Sequence, residues 1–300
     1  MNRILVVGRT GQLSWELRRT LLPLGEVRAM EQPTLDLMQP DSIVRAVRDC
    51  RPDVIVNAAA YTAVDRAEQE RELAFAINAV APGLLAQEAA KLGALMIHYS
   101  TDYVFDGAKP GAYLESDPPN PLNVYGASKL AGEQAVQASG AAHLIFRTSW
   151  VYAARGRNFL RTMLQLAADR ETLRVVADQI GAPTWARFLA EATGQVVAHS
   201  RDERATDRFE SGVYHLAAGG EASWCDFARA IIEQTCQVAP GWPHKLKEIL
   251  PIATEEYPLP ARRPANSRLD CTLFTGRFGI APAPWRDQLA LCVEEMQEAR

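Results

Sequence analysis

Tyr125 and Lys129 are the two side chains whose types and spacing best suit proton transfer. They follow the proline-rich loop 118–121, where a helix can begin, and positions i and i+4 lie on one helix face. A free phenol has a pKa near ~10, and a neighbouring ammonium stabilises the phenolate and lowers that pKa. Thr101 ends a predicted strand, where its hydroxyl can hydrogen-bond a substrate carbonyl. The three residues predict a catalytic site that passes a proton to an alkoxide.

A glycine-containing turn, G-R-T-G-Q-L-S at residues 8–14, lies between a predicted strand and a predicted helix. Gly8 and Gly11 let the backbone approach a pyrophosphate, whose charge is held by N–H groups at the helix N-terminus. Ser14 stands where the dinucleotide fingerprint has its third glycine, a position that serves close helix–strand packing, and serine is small enough to fit. The turn predicts a dinucleotide site, and a plain strand-to-helix turn is the alternative.

Glu31 is the residue that bears on the choice of cofactor. It ends the predicted second strand 20 residues after Gly11, the offset at which a carboxylate binds the ribose 2′-hydroxyl of NAD. Arg9 and Arg28 favour the opposite choice, because a guanidinium beside the same ribose pairs with the 2′-phosphate of NADPH. The sequence therefore leaves NADH and NADPH both open.

Composition excludes several classes of protein. The chain has 300 residues, 48% of them apolar, and a formal net charge of −4. Such a chain buries a sizeable core, and it offers no basic footprint for nucleic acid. We find neither a signal peptide nor a run long enough for a membrane helix, which predicts a cytoplasmic protein without membrane contact. The five scattered cysteines, which lack metal-ligand spacing, predict reduced thiols and no metal site: Cys50, Cys225, Cys236, Cys271 and Cys292.

Alternating short strands and longer helices predict an α/β fold with a Rossmann-type, doubly wound parallel sheet. The predicted strands are 3–7, 26–30, 53–57, 94–100, 143–148, 173–176 and 213–216. The predicted helices are 12–22, 41–50, 159–168, 186–198 and two stretches within 63–92 broken at Pro82. Proline crowds the tail, which favours turns and short helices there. We therefore predict a dinucleotide-binding domain at 1–152, joined by a returning helix and strand near 186–217, and a smaller, irregular substrate domain at 153–300.

Several longer strings resemble those of one enzyme family. They are V-I-V-N-A-A-A-Y-T-A-V-D at 54–65, S-T-D-Y-V-F-D-G at 100–107, P-L-N-V-Y-G at 121–126, R-T-S-W-V-Y at 147–152, D-Q-I-G-A-P-T at 178–184 and A-R-R-P at 261–264. Together with the turn and the proton-transfer pair, they are similar to the dTDP-4-dehydrorhamnose reductase family of the extended short-chain dehydrogenase/reductase superfamily. The resemblance covers nearly the whole chain.

The resemblance implies a reaction and a set of residue roles. NAD(P)H would reduce the C4 ketone of dTDP-4-dehydro-β-L-rhamnose to dTDP-β-L-rhamnose, the last step of dTDP-L-rhamnose biosynthesis, while Tyr125 donates the proton. The residues implied for the cofactor, besides Gly8 and Glu31, are Gly11, Gln12, Leu13, Asp36, Leu37, Ala59, Ala60, Tyr61, Tyr99, Tyr125 and Lys129. Those implied for the substrate are Thr101, Asp102, Tyr103, Trp150, Gln179, Arg262 and Asn266. For Gln179, Arg262 and Asn266, ordinary loop residues are an equally good interpretation.

Three alternatives stay open. The first is another sugar-nucleotide reductase or epimerase of the same superfamily. Among such relatives, dehydratases carry a Thr-Asp-Glu run, whereas here Asp102 is followed by Tyr103. The second is a regulatory subunit that binds a dinucleotide without turnover, because intact catalytic residues do not by themselves establish activity. The third concerns assembly, since the sequence is compatible with a monomer or a homodimer.

Overall fold

The computed structural model describes residues 2–298. Its strands are β1 (Asn2–Val7), β2 (Gly25–Met30), β3 (Val54–Asn57), β4 (Leu95–Thr101), β5 (His143–Thr148), β6 (Val151–Tyr152), β7 (Thr172–Val176), β8 (Ile180–Gly181), β9 (Thr184–Trp185), β10 (Gly212–His215), β11 (Ala222–Ser223) and β12 (Glu248–Ile252). Its α-helices are α1 (Gln12–Thr20), α2 (Pro40–Cys50), α3 (Val64–Ala67), α4 (Arg71–Phe75), α5 (Ala81–Leu92), α6 (Val124–Gln137), α7 (Phe159–Asp169), α8 (Ala186–Ala205), α9 (Trp224–Val238), α10 (Thr272–Phe278) and α11 (Trp285–Glu298).

The central sheet has six parallel strands in the order β10-β5-β4-β3-β1-β2. Alternate residues of β1 enter different cores: Ile4 and Val6 pack with α1 and α8, whereas Leu5 and Val7 pack with α2, α5 and α6. Helices thus cover both faces of the sheet, which explains why its strands are nearly continuous apolar runs. The predicted doubly wound α/β fold is confirmed.

The break predicted at Pro82 is wrong. A π-helical turn, Ala76–Val80, joins α4 to α5, and Pro82 lies at the beginning of α5. Proline has no backbone N–H and is tolerated in the first turn of a helix, which is where Pro82 lies in α5. Residues 71–92 therefore form one long helical segment, which packs against α2 and α6.

The C-terminal third is more regular than predicted. Beyond the predicted elements it contains α9 and α11, with 15 and 14 residues, which are longer than the short helices that the prolines favour. Proline lies between these helices and not within them: α9 ends before Pro240, and α11 begins after Pro284. The apolar faces of α7, α9 and α11 share a separate core with Trp185.

The returning segment of the chain joins the first half of the molecule. Helix α8 packs on α1, and β10 pairs in parallel with β5 at the edge of the sheet. The division at 152 stays a prediction, and its outermost positions, 1 and 299–300, lie outside the described residues.

One helical segment of the described chain, Arg71–Leu92, is long and apolar enough to cross a membrane by length and composition alone. More than half of its most apolar window, 56%, is buried inside the protein. Its apolar side chains Leu85, Ala86 and Ala89 belong to the core beneath the sheet. The same composition is typical of a core helix, and packing explains it here.

Candidate active site

A cleft of about 810 Å³ opens at the carboxyl ends of β1 to β5. Ligands of open α/β sheets bind at this edge. The predicted cofactor residues that line it are Gly8, Gly11, Gln12, Leu13, Glu31, Asp36, Leu37, Ala59, Ala60, Tyr99, Tyr125 and Lys129. Tyr61 is not among the lining residues, because its hydroxyl turns to Glu70. Residues from five strand ends therefore meet in one cleft of the size of a small-molecule site.

The turn between β1 and α1 is built for close contact with an anion. Gly8 has a φ of 101°, and a Cβ added there would lie 2.5 Å from Ser14 Oγ. Ser14 stands where the fingerprint has glycine, and its small side chain is buried under this turn. No side chain of the described residues caps the N-terminus of α1, so its first N–H groups face the cleft. These features fit the pyrophosphate of a dinucleotide.

Glu31 approaches the same turn from the end of β2. Its Oε2 accepts hydrogen bonds from Arg9 N at 3.1 Å, Thr10 N at 3.0 Å and Thr10 Oγ1 at 3.0 Å. The Thr10 backbone bond is the main reason why the pKa of Glu31 is lowered. Arg28, which could have favoured a 2′-phosphate, is held instead by Glu26 at 2.7 Å. A carboxylate therefore stands in the cleft beside the glycine turn, where the sequence predicts contact with the adenosine ribose.

Tyr125 and Lys129 lie on the first turns of α6, as the spacing predicts. The helix begins where Asn123 Oδ1 accepts the N–H of Gly126 at 2.8 Å. Gly126 is required here, because a Cβ would lie 2.1 Å from Tyr103 O. This close approach brings α6 against the segment that follows β4, where the Tyr103 and Tyr125 rings meet edge to face at 5.7 Å.

The protonation of Tyr125 differs from the expectation. Loss of water around its ring raises the pKa of Tyr125 to about 12, and a hydrogen bond with Thr101 only partly opposes this. The Nζ of Lys129 donates to Tyr99 O at 2.6 Å, and burial of the phenol is the main cause of its raised pKa. Before any ligand contributes, Tyr125 is thus a protonated phenol, which is the state that a proton donor needs.

Lys129 and Asp102 are buried groups whose charged forms are disfavoured. Burial lowers the pKa of Lys129 to about 8 and raises that of Asp102 to about 6. Thr101 Oγ1 donates to Asp102 Oδ1 at 3.0 Å, which ties the two predicted substrate residues together. Shifted pKa values of this kind cluster at catalytic sites.

A second cavity, of about 750 Å³, lies among the elements of the C-terminal half. Its lining contains four arginines and no acidic side chain: Arg170, Arg174, Arg262 and Arg263. Phe159, Trp224 and Tyr257 supply aromatic surface. Arginine forks suit phosphate oxygens, and aromatic faces suit a nucleobase.

The seven predicted substrate residues fall into three groups. Thr101, Asp102 and Tyr103 lie at the end of β4 beside Tyr125 and line neither cavity. Gln179 and Arg262 line the second cavity, and Trp150 stacks on its Trp224 with ring centroids 3.6 Å apart. Asn266 lines neither cavity: its amide donates to Lys109 O at 2.6 Å and to Gly111 O at 2.8 Å. The interpretation of Asn266 as an ordinary structural residue therefore fits its contacts better.

Comparisons with known proteins agree with this geometry. A family model described as the RmlD substrate binding domain matches residues 1–298. The chain belongs to this family. A dTDP-4-dehydrorhamnose reductase of Burkholderia thailandensis is 50% identical over 294 residues, which are 98% of this chain and 99% of that protein. The enzyme of the same name from Escherichia coli K12 is 46% identical over 287 residues, 94% of each chain.

A solved structure is similar over the same length. The dTDP-4-dehydrorhamnose reductase of Bacillus anthracis, solved in complex with NADP, superposes with a TM-score of 0.86. It is 35% identical, and the match covers 98% of this chain and 99% of that chain. Membership of the RmlD family and the NAD(P)-type cleft are thus supported by sequence and by fold.

Sequence reasoning missed part of the site of this RmlD-family protein. Gly156 and Arg157 line the cofactor cleft from the loop after β6, where Asn158 donates to Gln12 Oε1 at 2.8 Å. The arginines and aromatic residues of the second cavity, apart from Arg262, were also missed. They come from α7, β7, α9 and the segment 254–263, so no local spacing marks them. The N-cap residue Asn158 was the one available signal, because it fixes the loop next to the glycine turn.

Proposed function

We propose that this protein reduces the C4 ketone of dTDP-4-dehydro-β-L-rhamnose to dTDP-β-L-rhamnose, using NADPH or NADH, as the last step of dTDP-L-rhamnose biosynthesis. One observation carries the proposal: a buried Lys129 and a protonated Tyr125 stand beside Thr101 at the edge of a dinucleotide-sized cleft. Relatives that are up to 50% identical and bear the name of this reductase support the choice of substrate.

The chain's own residues supply positioning and a proton. The bound dinucleotide supplies the hydride, and this chemistry belongs to the cofactor. The Tyr125 hydroxyl donates a hydrogen bond to the ketone oxygen and passes its proton to that oxygen as negative charge develops. Thr101 donates a second hydrogen bond to the ketone once its hydroxyl turns from Asp102 Oδ1 to the substrate. Lys129 would hold the nicotinamide ribose, and its ammonium form would stabilise the resulting phenolate. General acid catalysis of this kind contributes typically ~10²–10⁴-fold to the rate.

The second cavity holds the sugar nucleotide in this proposal. Arg262 is exposed at its rim, and its guanidinium has no hydrogen bond within residues 2–298, so it is available to a diphosphate. Arg263 is fixed by Asp65 through bonds of 3.0 and 2.7 Å, which suits a positioning role. Tyr103 contacts Arg263 and the Tyr125 ring, and so links the diphosphate region to the proton donor.

The remaining parts of the proposal concern context. We place the enzyme in the cytoplasm, acting on a dTDP-sugar without nucleic acid or membrane, as a monomer or a homodimer. A mildly acidic chain that offers no basic footprint supports the absence of nucleic acid. The two-domain division at residue 152 belongs to this proposal as well: the cofactor binds the first part, and the sugar nucleotide binds the second.

A turnover assay tests the function. Purified protein is mixed with NADPH or NADH and the dTDP-4-keto sugar, and cofactor absorbance and the product are followed together. We expect cofactor oxidation in step with formation of dTDP-rhamnose, identified by chromatography against an authentic standard. A regulatory subunit would bind the dinucleotide and leave it reduced. An epimerase would change the sugar without net oxidation of the cofactor, and either result would refute the proposed reaction.

A further inference from the structure

A row of buried polar side chains runs across the sheet behind Lys129. Asn57 of β3 and His98 of β4 are register partners, and both are at most 1% exposed. Asn57 Nδ2 lies 3.1 Å from His98 Nδ1, and His98 Nε2 lies 3.4 Å from Lys129 Nζ. Neither Asn57 nor His98 belongs to the machinery described above. Buried polar groups need a donor opposite each acceptor, so the direction of each hydrogen bond decides which groups are satisfied.

The backbone fixes the direction of the first hydrogen bond. Asn57 Oδ1 accepts the N–H of Ala59 at 3.2 Å, so the other end of the amide is the donor. Asn57 Nδ2 therefore donates to His98 Nδ1, which must carry a lone pair. A neutral imidazole has one N–H, and here that hydrogen is on Nε2. Burial holds the pKa of His98 well below its ordinary value, so the ring stays neutral.

The hydrogen on His98 Nε2 points toward the amine of Lys129. An ammonium carries only donors, so a charged Lys129 places donor against donor at this contact. A neutral amine accepts from Nε2–H with its lone pair and still donates to Tyr99 O at 2.6 Å. The row of contacts is therefore fully complementary only after Lys129 has lost a proton.

We propose that Asn57 and His98 are positioning residues that favour release of a proton from Lys129, so that Lys129 changes protonation state during the reaction instead of remaining a fixed positive charge. The inference rests on the proposed function, because it concerns how Tyr125 regains the proton that it donates. A lysine that releases a proton near neutral pH can return one to the phenolate, whereas a permanently charged lysine only stabilises it.

The other charged groups around Lys129 do not override this bias. Glu133, one turn further along α6, favours the ammonium, but Arg147 of β5 engages it through bonds of 2.9 and 2.7 Å. On the β4 side, Tyr99 offers its backbone oxygen, and its hydroxyl bonds Thr193. Tyr125 on the same helix face is a neutral phenol in the described state. Burial is accordingly the main cause that lowers the pKa of Lys129 to about 8.

Nitrogen NMR of the wild-type protein tests the hydrogen-bond row without a mutation or a substrate. Long-range ¹H–¹⁵N spectra report which ring nitrogen of a histidine carries the hydrogen. We expect His98 as the Nε2–H form, unchanged from pH 6 to 9. His143 and His215 serve as internal controls, because their Nδ1 atoms face the carbonyls of Ala141 and Tyr113 and predict Nδ1–H. A signal from Nδ1–H at His98 would overturn the inference.

The Asn57→Asp variant tests the consequence for Lys129. A carboxylate at 57 accepts from Nδ1–H of His98, which turns the Nε2 lone pair toward Lys129 and favours its ammonium. We expect the alkaline limb of the kcat–pH profile to move up by about one pH unit, a typical shift for a changed neighbour. Asn57→Leu removes the amide without adding charge, and it should move the alkaline limb of the kcat–pH profile in the same direction by a smaller amount.

The outcomes separate the inference from the proposed function. An equal loss of kcat at every pH, with an unchanged midpoint in Asn57→Asp, would mean a merely structural role and would refute the inference. Loss of turnover in the wild type would count against the proposed function instead, and the nitrogen spectra would still decide the hydrogen-bond row.

Discussion

The cofactor region and the substrate region of this molecule encode their sites in different ways. In the cofactor region, consecutive residues of one turn and one helix do most of the work, as in residues 8–14 and 125–129. In the substrate region, the cavity takes four arginines and three aromatic residues from separate helices, strands and loops. Backbone geometry dictates the first kind of site, and packing of distant elements dictates the second.

This contrast teaches which substitutions test which half. Glycine turns and i, i+4 pairs act through fixed local geometry. Substitutions at the cofactor and proton-transfer positions should therefore change kcat or the choice of cofactor. The arginines of the second cavity act by binding the substrate, so substitutions there should change mainly KM. The following four substitutions either sharpen this difference or break it.

Tyr125→Phe should have the largest effect. Removing the phenol that donates the proton should lower kcat by ~10²–10⁴-fold, the usual contribution of a general acid, with little change in cofactor affinity. Steady-state kinetics and fluorescence titration with NADPH measure the two quantities. Tyr152→Phe is the matched control, because the buried hydroxyl of Tyr152 has no hydrogen-bond partner among the described residues. Equal activity of the two variants would contradict the role of Tyr125.

Arg262→Ala should act on the other side of the contrast. Loss of a charge-assisted hydrogen bond to a diphosphate, worth about 1.5–3 kcal/mol, should raise KM for the dTDP-sugar by roughly 10–150-fold with kcat nearly unchanged. Arg201→Ala serves as a surface control, since within residues 2–298 the Arg201 guanidinium pairs with the exposed Asp202 alone. A fall in kcat at constant KM would show that Arg262 does not serve binding.

Glu31→Gln should change the choice of cofactor by a smaller factor. The carboxylate on Arg9 N and Thr10 N repels a 2′-phosphate, so its neutral analogue should improve kcat/KM for NADPH relative to NADH by about 3–10-fold, or roughly 1 kcal/mol. Glu26→Gln on the same strand is the control, because Glu26 only pairs with Arg28. An unchanged NADPH/NADH ratio would remove Glu31 from the specificity site.

Asp102→Asn should produce the smallest effect, in stability. Burial raises the pKa of Asp102 from 3.8 to about 6, so the folded protein loses stability as pH rises between these values. Asparagine is neutral at every pH and does not lose this stability. The melting temperature of the variant should therefore be a few degrees above that of wild type at pH 8, since each kcal/mol shifts it by about 2–4 °C. Below pH 4 both forms are neutral, and the two melting temperatures should converge. A constant difference across pH would contradict the assignment.

The same contrast explains what the sequence could predict. Strands β1 to β5 and the start of α6 were predictable, because apolar runs and turn residues determine them locally. The continuous helix through Pro82 was not, since the π turn before it depends on packing against α6, where Gly132 meets Asn78 O. The resemblance implied Tyr61 as a cofactor residue, but its hydroxyl donates to Glu70 and it does not line the cleft.

Protonation was less predictable than position. The pair Tyr125 and Lys129 predicts a lowered phenol pKa, yet burial raises that pKa. The Lys129 amine is bound to Tyr99 O and lies against His98. The cavity arginines other than Arg262 also escaped prediction, because β7, β12 and the 254–263 segment meet only in the folded chain. Local pattern gives the residue types of a site, and tertiary packing gives their electrostatics.

Isotope transfer tests the central claim most directly. The protein is incubated with the dTDP-4-keto sugar and NADPH that carries deuterium at the transferable C4 position of its nicotinamide, and the sugar product is examined by mass spectrometry and NMR. The account predicts dTDP-rhamnose with a single deuterium at C4 of the sugar and a hydroxyl on the same carbon. A product without deuterium at that carbon, or a cofactor that stays reduced, would contradict it.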